Sequence, residues 1–233
     1  MKHLLLAVLF GGMALNMMAD DKVVIPDSTG FKFTDVKVVK STPVKDQSKS
    51  GTCWCYSTNT FFENEILRKT GKEIHLSEGF VVWHCYFDKA KKYVRMDGKI
   101  NFAEGGAAED VPYVWRNYGM MPNEAYTGMT HGEKKFNTSE LTGVLSGFLD
   151  VVNTKKLKKL TPSWIEGFEG VLNAYMGKIP ETFTWEGKTY TPKSFAQSLG
   201  VNPDDYISIA SFTHHPFYQP FALEVADNWT WAQ

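Results

Sequence analysis

Residues 43–62, PVKDQSKSGTCWCYSTNTFF, decide how the rest of the chain reads. Gln47 is followed by a polar, glycine-containing run, and Gly51-Thr52-Cys53-Trp54 then opens an apolar pattern at helical spacing. A thiol in the first turn of a helix sits at the positive end of the helix dipole, beside backbone N–H groups that have no intrahelical acceptor. That setting favours thiolate, the nucleophilic form. The N–H of the same residue points at any oxyanion formed on the atom the sulfur attacks, and a nearby Gln amide supplies a second donor. Nucleophile and oxyanion donors are thus encoded within one loop. A buried structural thiol is the other reading of a lone Cys.

Outward from that loop, the composition frames what the chain can be. It has 233 residues, 43% of them hydrophobic and 14% aromatic, enough for one good-sized core or a core plus a subdomain. The formal net charge of -1 and the lack of a dense basic stripe argue against nucleic acid as a partner. MKHLLLAVLFGGMALNMMADD, residues 1–21, reads as a secretory signal peptide, with Lys2 as the charged start and Leu4 to Leu15 as an apolar run too short for a membrane span. Cleavage fits after Ala14, or after Ala19 with Met17 three places before the cut. The mature domain is then 20–233, and the expected location is exported, either periplasmic or secreted, with no membrane contact once the signal is removed. The cysteines, Cys53, Cys55 and Cys85, are odd in number. Cys55 bridged to Cys85 with Cys53 free is one arrangement, and three reduced thiols is another. The spacing is not that of a metal site, and no metal or organic cofactor is expected.

The loop also carries a resemblance. Gln47, Gly51-Thr52-Cys53-Trp54 and Tyr56-Ser57 resemble the active-site signature of papain-like cysteine peptidases, in which Gln and Cys have this spacing. The common family version is C-G-S-C-W. Ser50 stands where its first Cys would be, which removes one partner of a disulfide usual in secreted relatives. That departure is similar to the bleomycin hydrolase and bacterial aminopeptidase C branch. So are His75-Leu76-Ser77-Glu78, Glu104-Gly105-Gly106, Tyr118-Gly119 with Pro122, and SFTHHPFYQPFALEVADNW at 211–229. The resemblance implies an α+β, papain-like fold, mainly its helical half with a helical insertion, the C-terminal β-rich half being absent. It implies a catalytic Cys53 with Gln47 as oxyanion donor, and substrate contacts at Gly105, Gly106 and Trp54. A simple turn is the other reading of the glycine pair. A peptide substrate is implied, and a homo-oligomer, hexameric in that branch.

In chain order, alternation at Phe31/Phe33 and Val36/Val38 suggests short extended segments leading into the loop. A helix is expected from Cys53 to Lys69, stopped by Gly71, with Trp54 and Phe61 on one apolar face and Cys55, Phe62 and Ile66 on the next. It is expected to be the buried central helix. Ser77 caps a second helix that buries Val81, Val82, Cys85 and Phe87. A third spans Ala107 to Tyr118 with Gly119 as its stop, and Pro112 requires it to begin near Glu109 or Asp110. Ser139 caps a fourth, with Leu141, Leu145 and Phe148 inward. Thr161-Pro162 opens a fifth with a Trp164, Phe168, Val171, Tyr175 stripe. Lys155, Lys156, Lys158 and Lys159 read as a solvated connector. Phe183–Tyr190 reads as a hairpin, Thr191-Pro192 as the start of a short helix ending at Gly200, and Ile207–Ile209 and Phe221–Val225 as strands.

A Cys nucleophile needs a His to move its proton and usually an Asn to orient that His. His214 and His215, with Asn228-Trp229 after them, imitate such a pair. Yet His215 precedes Pro216 in a proline-rich loop, and in the branch resembled these segments precede the catalytic His. The expectation is therefore an N-terminal portion of a longer peptidase, holding nucleophile and oxyanion donor but not the base. The alternatives are a complete small endopeptidase using His214 or His215 with Asn228, or an inactive binding protein on a peptidase fold.

Overall fold

The computed structural model describes residues 30, 33–154 and 159–221. The expected signal segment, Phe31, Lys155, Lys156, Lys158 and Asn228 lie outside the described residues, as does all of the Phe221–Val225 strand except Phe221. The chain divides at Val38/Val39, and the architecture below belongs to the unit beginning at Val39.

Helix α1 runs Cys53–Thr70, starting at the thiol as the sequence predicts. Gly71 stops it in the left-handed region, its N–H returning to the Leu67 carbonyl, and Arg68 and Lys69 lie in the last turn, where the dipole favours cations. Cys55, Phe62 and Ile66 face the core, and full burial of a Phe such as Phe62 contributes about 2–3 kcal/mol. Phe61, expected inside, is 48% exposed. Its ring lies edge-on to Phe62 and Tyr206, at 5.2 and 5.4 Å, so it covers the core's rim.

Helix α2, Glu78–Arg95, is capped by Ser77, whose hydroxyl accepts the Phe80 N–H at 2.9 Å. It touches α1, α3 (Asp110–Tyr118), α4 (Ser139–Val152) and α5 (Ser163–Met176), whereas α1 touches α2 and α3. The central helix among the described residues is therefore α2, not α1. Its composition allows this: Phe80, Val81, Val82, Cys85 and Tyr86 bury more than one face, while Phe87 is half-buried. Helix α3 begins at Asp110, so Pro112 falls in its first turn, where no intrahelical bond needs its missing N–H. Helix α4 begins at Ser139 after Thr138, and neither side chain caps it, because the Thr138 hydroxyl is used elsewhere. Leu141, Leu145 and Leu149 point inward, with Phe148 half-buried. Helix α5 starts one residue later than Thr161-Pro162 suggested, and its buried stripe is Phe168, Leu172 and Met176, with Trp164, Val171 and Tyr175 along the edge.

Strands β1 (Phe183–Trp185) and β2 (Lys188–Tyr190) pair antiparallel across Glu186-Gly187, both at positive φ as a tight hairpin requires. Thr191 and Ser194 form a reciprocal cap on α6 (Pro192–Ser198). The other expected strand, Ile207–Ile209, is not one. Both isoleucines are exposed, at 84% and 89%, and no described segment offers them a ladder. Alternation makes a strand only where a second strand supplies the hydrogen bonds. Among the described residues the result is a helical body with one small hairpin. No helix among the described residues is long and apolar enough to cross a membrane.

Candidate active site

Cys53 is the first residue of α1 and its thiol is free and exposed. The Cys55 and Tyr56 N–H groups bond to the Thr52 carbonyl, at 2.9 and 3.2 Å, while the Cys53 N–H lies before the first intrahelical acceptor. The loop ahead of it is closed by its own polar groups. Gln47 donates through Nε2 to the Ser50 carbonyl at 2.8 Å, and Ser50 Oγ donates back to the Gln47 carbonyl at 2.8 Å. Ser50 Oγ also lies 2.6 Å from Thr52 Oγ1. Ser48 is forced to φ 53, with its N–H on Asp46 Oδ1. An amide carries two N–H bonds, so one donor of Gln47 holds the loop and one remains for a ligand.

Behind the loop is an ion cluster that sequence reading did not single out. Lys45 Nζ bonds to Glu63 Oε1 at 2.7 Å and to Glu78 Oε1, joining the loop to α1 and to the start of α2. Both carboxylates are buried, and Glu63 Oε1 also accepts the Leu76 N–H at 2.6 Å. Burial favours the neutral amine of Lys45, but Glu78 and Glu63 outweigh it and hold the ammonium above its ordinary range. One lysine cannot offset two buried carboxylates fully, and burial pushes the Glu78 carboxyl up. A cavity of about 400 Å³, lined by Lys45, Tyr56 and Glu78, opens on this cluster. The one sequence signal was Glu63 itself, a charge on the same buried face as Cys55 and Ile66.

The segment Ala103–Gly106 lies against the other side of the nucleophile. The Glu104 carboxylate accepts the Gly51 N–H at 2.9 Å, and its carbonyl accepts the Trp54 indole N–H at 3.0 Å. Lys89 of α2, only 3% exposed, donates to the carbonyls of Ala103, at 3.2 Å, and Gly105. Glycine is required at 51 and 106 by close approach: a Cβ on Gly51 would lie 2.5 Å from Glu104 Oε2, and one on Gly106 2.7 Å from the Trp54 ring and from Asp110 Oδ2. Trp54, expected among the substrate contacts, is 7% exposed and packs beneath Gly106.

The other cysteines take no part. Cys55 and Cys85 are both buried and are not bridged to each other, the second of the two arrangements the sequence left open. Burial, reinforced by Glu78, pushes the Cys55 thiol up, and it lies 3.8 Å from the Glu78 carbonyl. His214 and His215 are not brought to Cys53. Their rings lie tilted against each other at 4.3 Å, and His215 stacks on Phe221 at 4.2 Å, within a turn of their own segment. Among the described residues no side chain hydrogen-bonds to the Cys53 sulfur.

Comparison with known proteins bears on the whole arrangement. The profile of the papain family of cysteine proteases matches residues 28–163. Procathepsin L of Rattus norvegicus is 30% identical over 116 residues, 49% of this chain and 32% of that relative. Procathepsin L of Felis catus is 25% identical over 161 residues, 68% of this chain and 45% of that relative, and mouse cathepsin K is 32% identical over 109 residues, 42% and 30%. The chain thus spans less than half the length of these curated relatives. The crystal structure of PepW from Lactobacillus rhamnosis superposes with a TM-score of 0.56 at 18% identity, covering 72% of this chain and 46% of PepW, a likeness of fold. A helix that opens on an exposed cysteine, a glutamine loop closed onto it and a profile match across both identify the chain as a member of the papain family of cysteine proteases.

Proposed function

We propose that the chain carries the nucleophilic half of an exported cysteine peptidase. The observation that carries this reading is the exposed Cys53 thiol at the first position of α1, behind a glutamine whose amide keeps one donor unused. In the proposed reaction Cys53 sulfur bonds to the peptide carbonyl carbon while Gln47 Nε2–H and the Cys53 N–H hold the oxyanion. The C–N bond breaks, the amine leaves with the proton the base took from the thiol, and water hydrolyses the thioester. The base comes from outside the described residues, because His214 and His215 are held in their own aromatic turn. Gly105 and Gly106 would align the substrate backbone. Ser50, Glu104-Gly105-Gly106 and the 211–229 segment support action as an aminopeptidase of the bleomycin hydrolase type, and the apolar residues 4–15 support export. The test is the rate of Cys53 alkylation by iodoacetamide at neutral pH. An activated nucleophile reacts at least about tenfold faster than a free model thiol; a rate equal to that thiol overturns the reading.

A further inference from the structure

Sequence reading gives Glu104 no role of its own beside Gly105 and Gly106, yet its bonds surround the nucleophile. Its carboxylate holds the N–H two residues before Cys53, and its carbonyl holds the indole of the residue directly after it. The same carboxylate is itself fixed: its other oxygen accepts the hydroxyl of Thr142, at 2.9 Å, and that of Thr138. These threonines belong to the start of α4, and the Thr138 hydroxyl is directed to Glu104 instead of capping that helix. Glu104 therefore joins two elements: its carbonyl and one carboxylate oxygen hold the start of α1 and the loop before it, and its other carboxylate oxygen reaches α4. Gly51 permits the contact, since any side chain there would collide with Glu104. Lys89 holds the carbonyls on either side of Glu104, which keeps the 103–105 backbone from sliding.

We propose that Glu104 is the positioning residue of the nucleophile, a hydrogen-bonded clamp through which Thr138 and Thr142 of α4 set the orientation of the Gly51–Trp54 turn. The clamp acts through geometry: the Cys53 N–H and thiol face the same reacting carbon only while the peptide before Cys53 and the indole after it are both held. It rests on the reading of Cys53 as an activated nucleophile. Hydrogen bonding, not charge, is the operative property. A glutamine at 104 accepts from Gly51 through its carbonyl oxygen and donates to the threonine hydroxyls through its amide, so it preserves each contact.

The experiment measures iodoacetamide alkylation of Cys53 against pH in the 233-residue chain, with Cys55 and Cys85, both buried, as internal reporters of folding. Glu104→Gln is expected to stay within about twofold of the wild-type rate at each pH, and Glu104→Ala to fall about tenfold, toward a model thiol. Wild-type rates in Glu104→Ala overturn the proposal, as does an equal fall in Glu104→Gln. If Cys55 and Cys85 become reactive in Glu104→Ala, that variant has lost its fold and the Thr138→Val/Thr142→Val double variant decides. A fall of about threefold or more supports the clamp and an unchanged rate overturns it. A wild-type Cys53 no faster than a model thiol would instead sink the nucleophile reading itself.

Discussion

Residues 43–54, a loop running into the first residues of α1, and residues 207–221 are both largely irregular chain, both rich in sequence signals, and they end in opposite conditions. The first is held at each step: Lys45 by two carboxylates, Gln47 by Ser50, Gly51 by Glu104, and Trp54 by the Glu104 carbonyl. The second leaves Ile207, Ile209, Phe217 and Tyr218 exposed, its aromatic cluster built from Phe212, His214, His215 and Phe221 of the same segment. A loop becomes a site when distant groups over-determine its conformation, because its own backbone supplies few bonds to do so. Local pattern alone placed a histidine pair near a family motif; it supplied nothing to bring that pair to the sulfur.

The comparison predicts unequal consequences for change in the two regions. The largest effect is at Cys53. Under the proposed function, Cys53→Ser abolishes any peptide hydrolysis by the full-length protein, whereas His214→Ala and His215→Ala leave Cys53 alkylation at its original rate. A slowed alkylation in either histidine variant would bring the second region into the site after all. Next is Lys45→Met, which leaves two buried carboxylates without their cation and costs about 3–5 kcal/mol by urea unfolding at neutral pH. That deficit shrinks as pH falls, because protonation removes the uncompensated charge and the Glu78 carboxyl, already pushed up by burial, takes its proton early. A loss independent of pH would show that packing, not charge, is what Lys45 provides.

A third test uses pH itself. His84 stacks on Tyr118 at 3.9 Å with its Nδ1 covered, and burial lowers its pKa from 6.5 to about 3 against the opposing pull of Asp88. The sign follows from the depressed value. The neutral ring's contribution is complete above pH 6.5 and is lost as pH falls toward 3, by at most about 5 kcal/mol. His84→Phe should flatten that part of the acid limb of thermal stability, and an unchanged slope would assign acid sensitivity to the carboxylates. The smallest effects separate capped from uncapped chain. Thr191→Ala removes a reciprocal cap and costs about 1 kcal/mol, while Ile209→Ser in the exposed segment stays within about 0.5 kcal/mol. A larger loss at Ile209 would mean that the segment is covered in the working protein.

Much of the architecture was legible because its causes are local. The start of α1 at Cys53, its stop at Gly71, the Ser77 cap, the start of α3 at Asp110 with Pro112 in its first turn and the Glu186-Gly187 turn each follow from one or a few neighbouring residues. The candidate nucleophile and its glutamine were legible for the same reason, lying six positions apart in one loop. The misreadings share the opposite cause. Phe61 sits on a helical stripe whose outer edge only Tyr206 defines, the α5 stripe rotates to meet α2 and α4, and Ile207–Ile209 lacks the second strand its alternation requires.

By itself the sequence determined the helices, their caps, the hairpin and the chemistry offered by Gln47 and Cys53, since these depend on backbone sterics and on side chains within a few residues. Only the tertiary structure decided that α2 is the hub, that Lys45 joins Glu63 and Glu78, and that Glu104 reaches Gly51 from 53 residues away. Buried charges and polar groups must find partners wherever the fold places them, and no spacing along the chain records which partner that is.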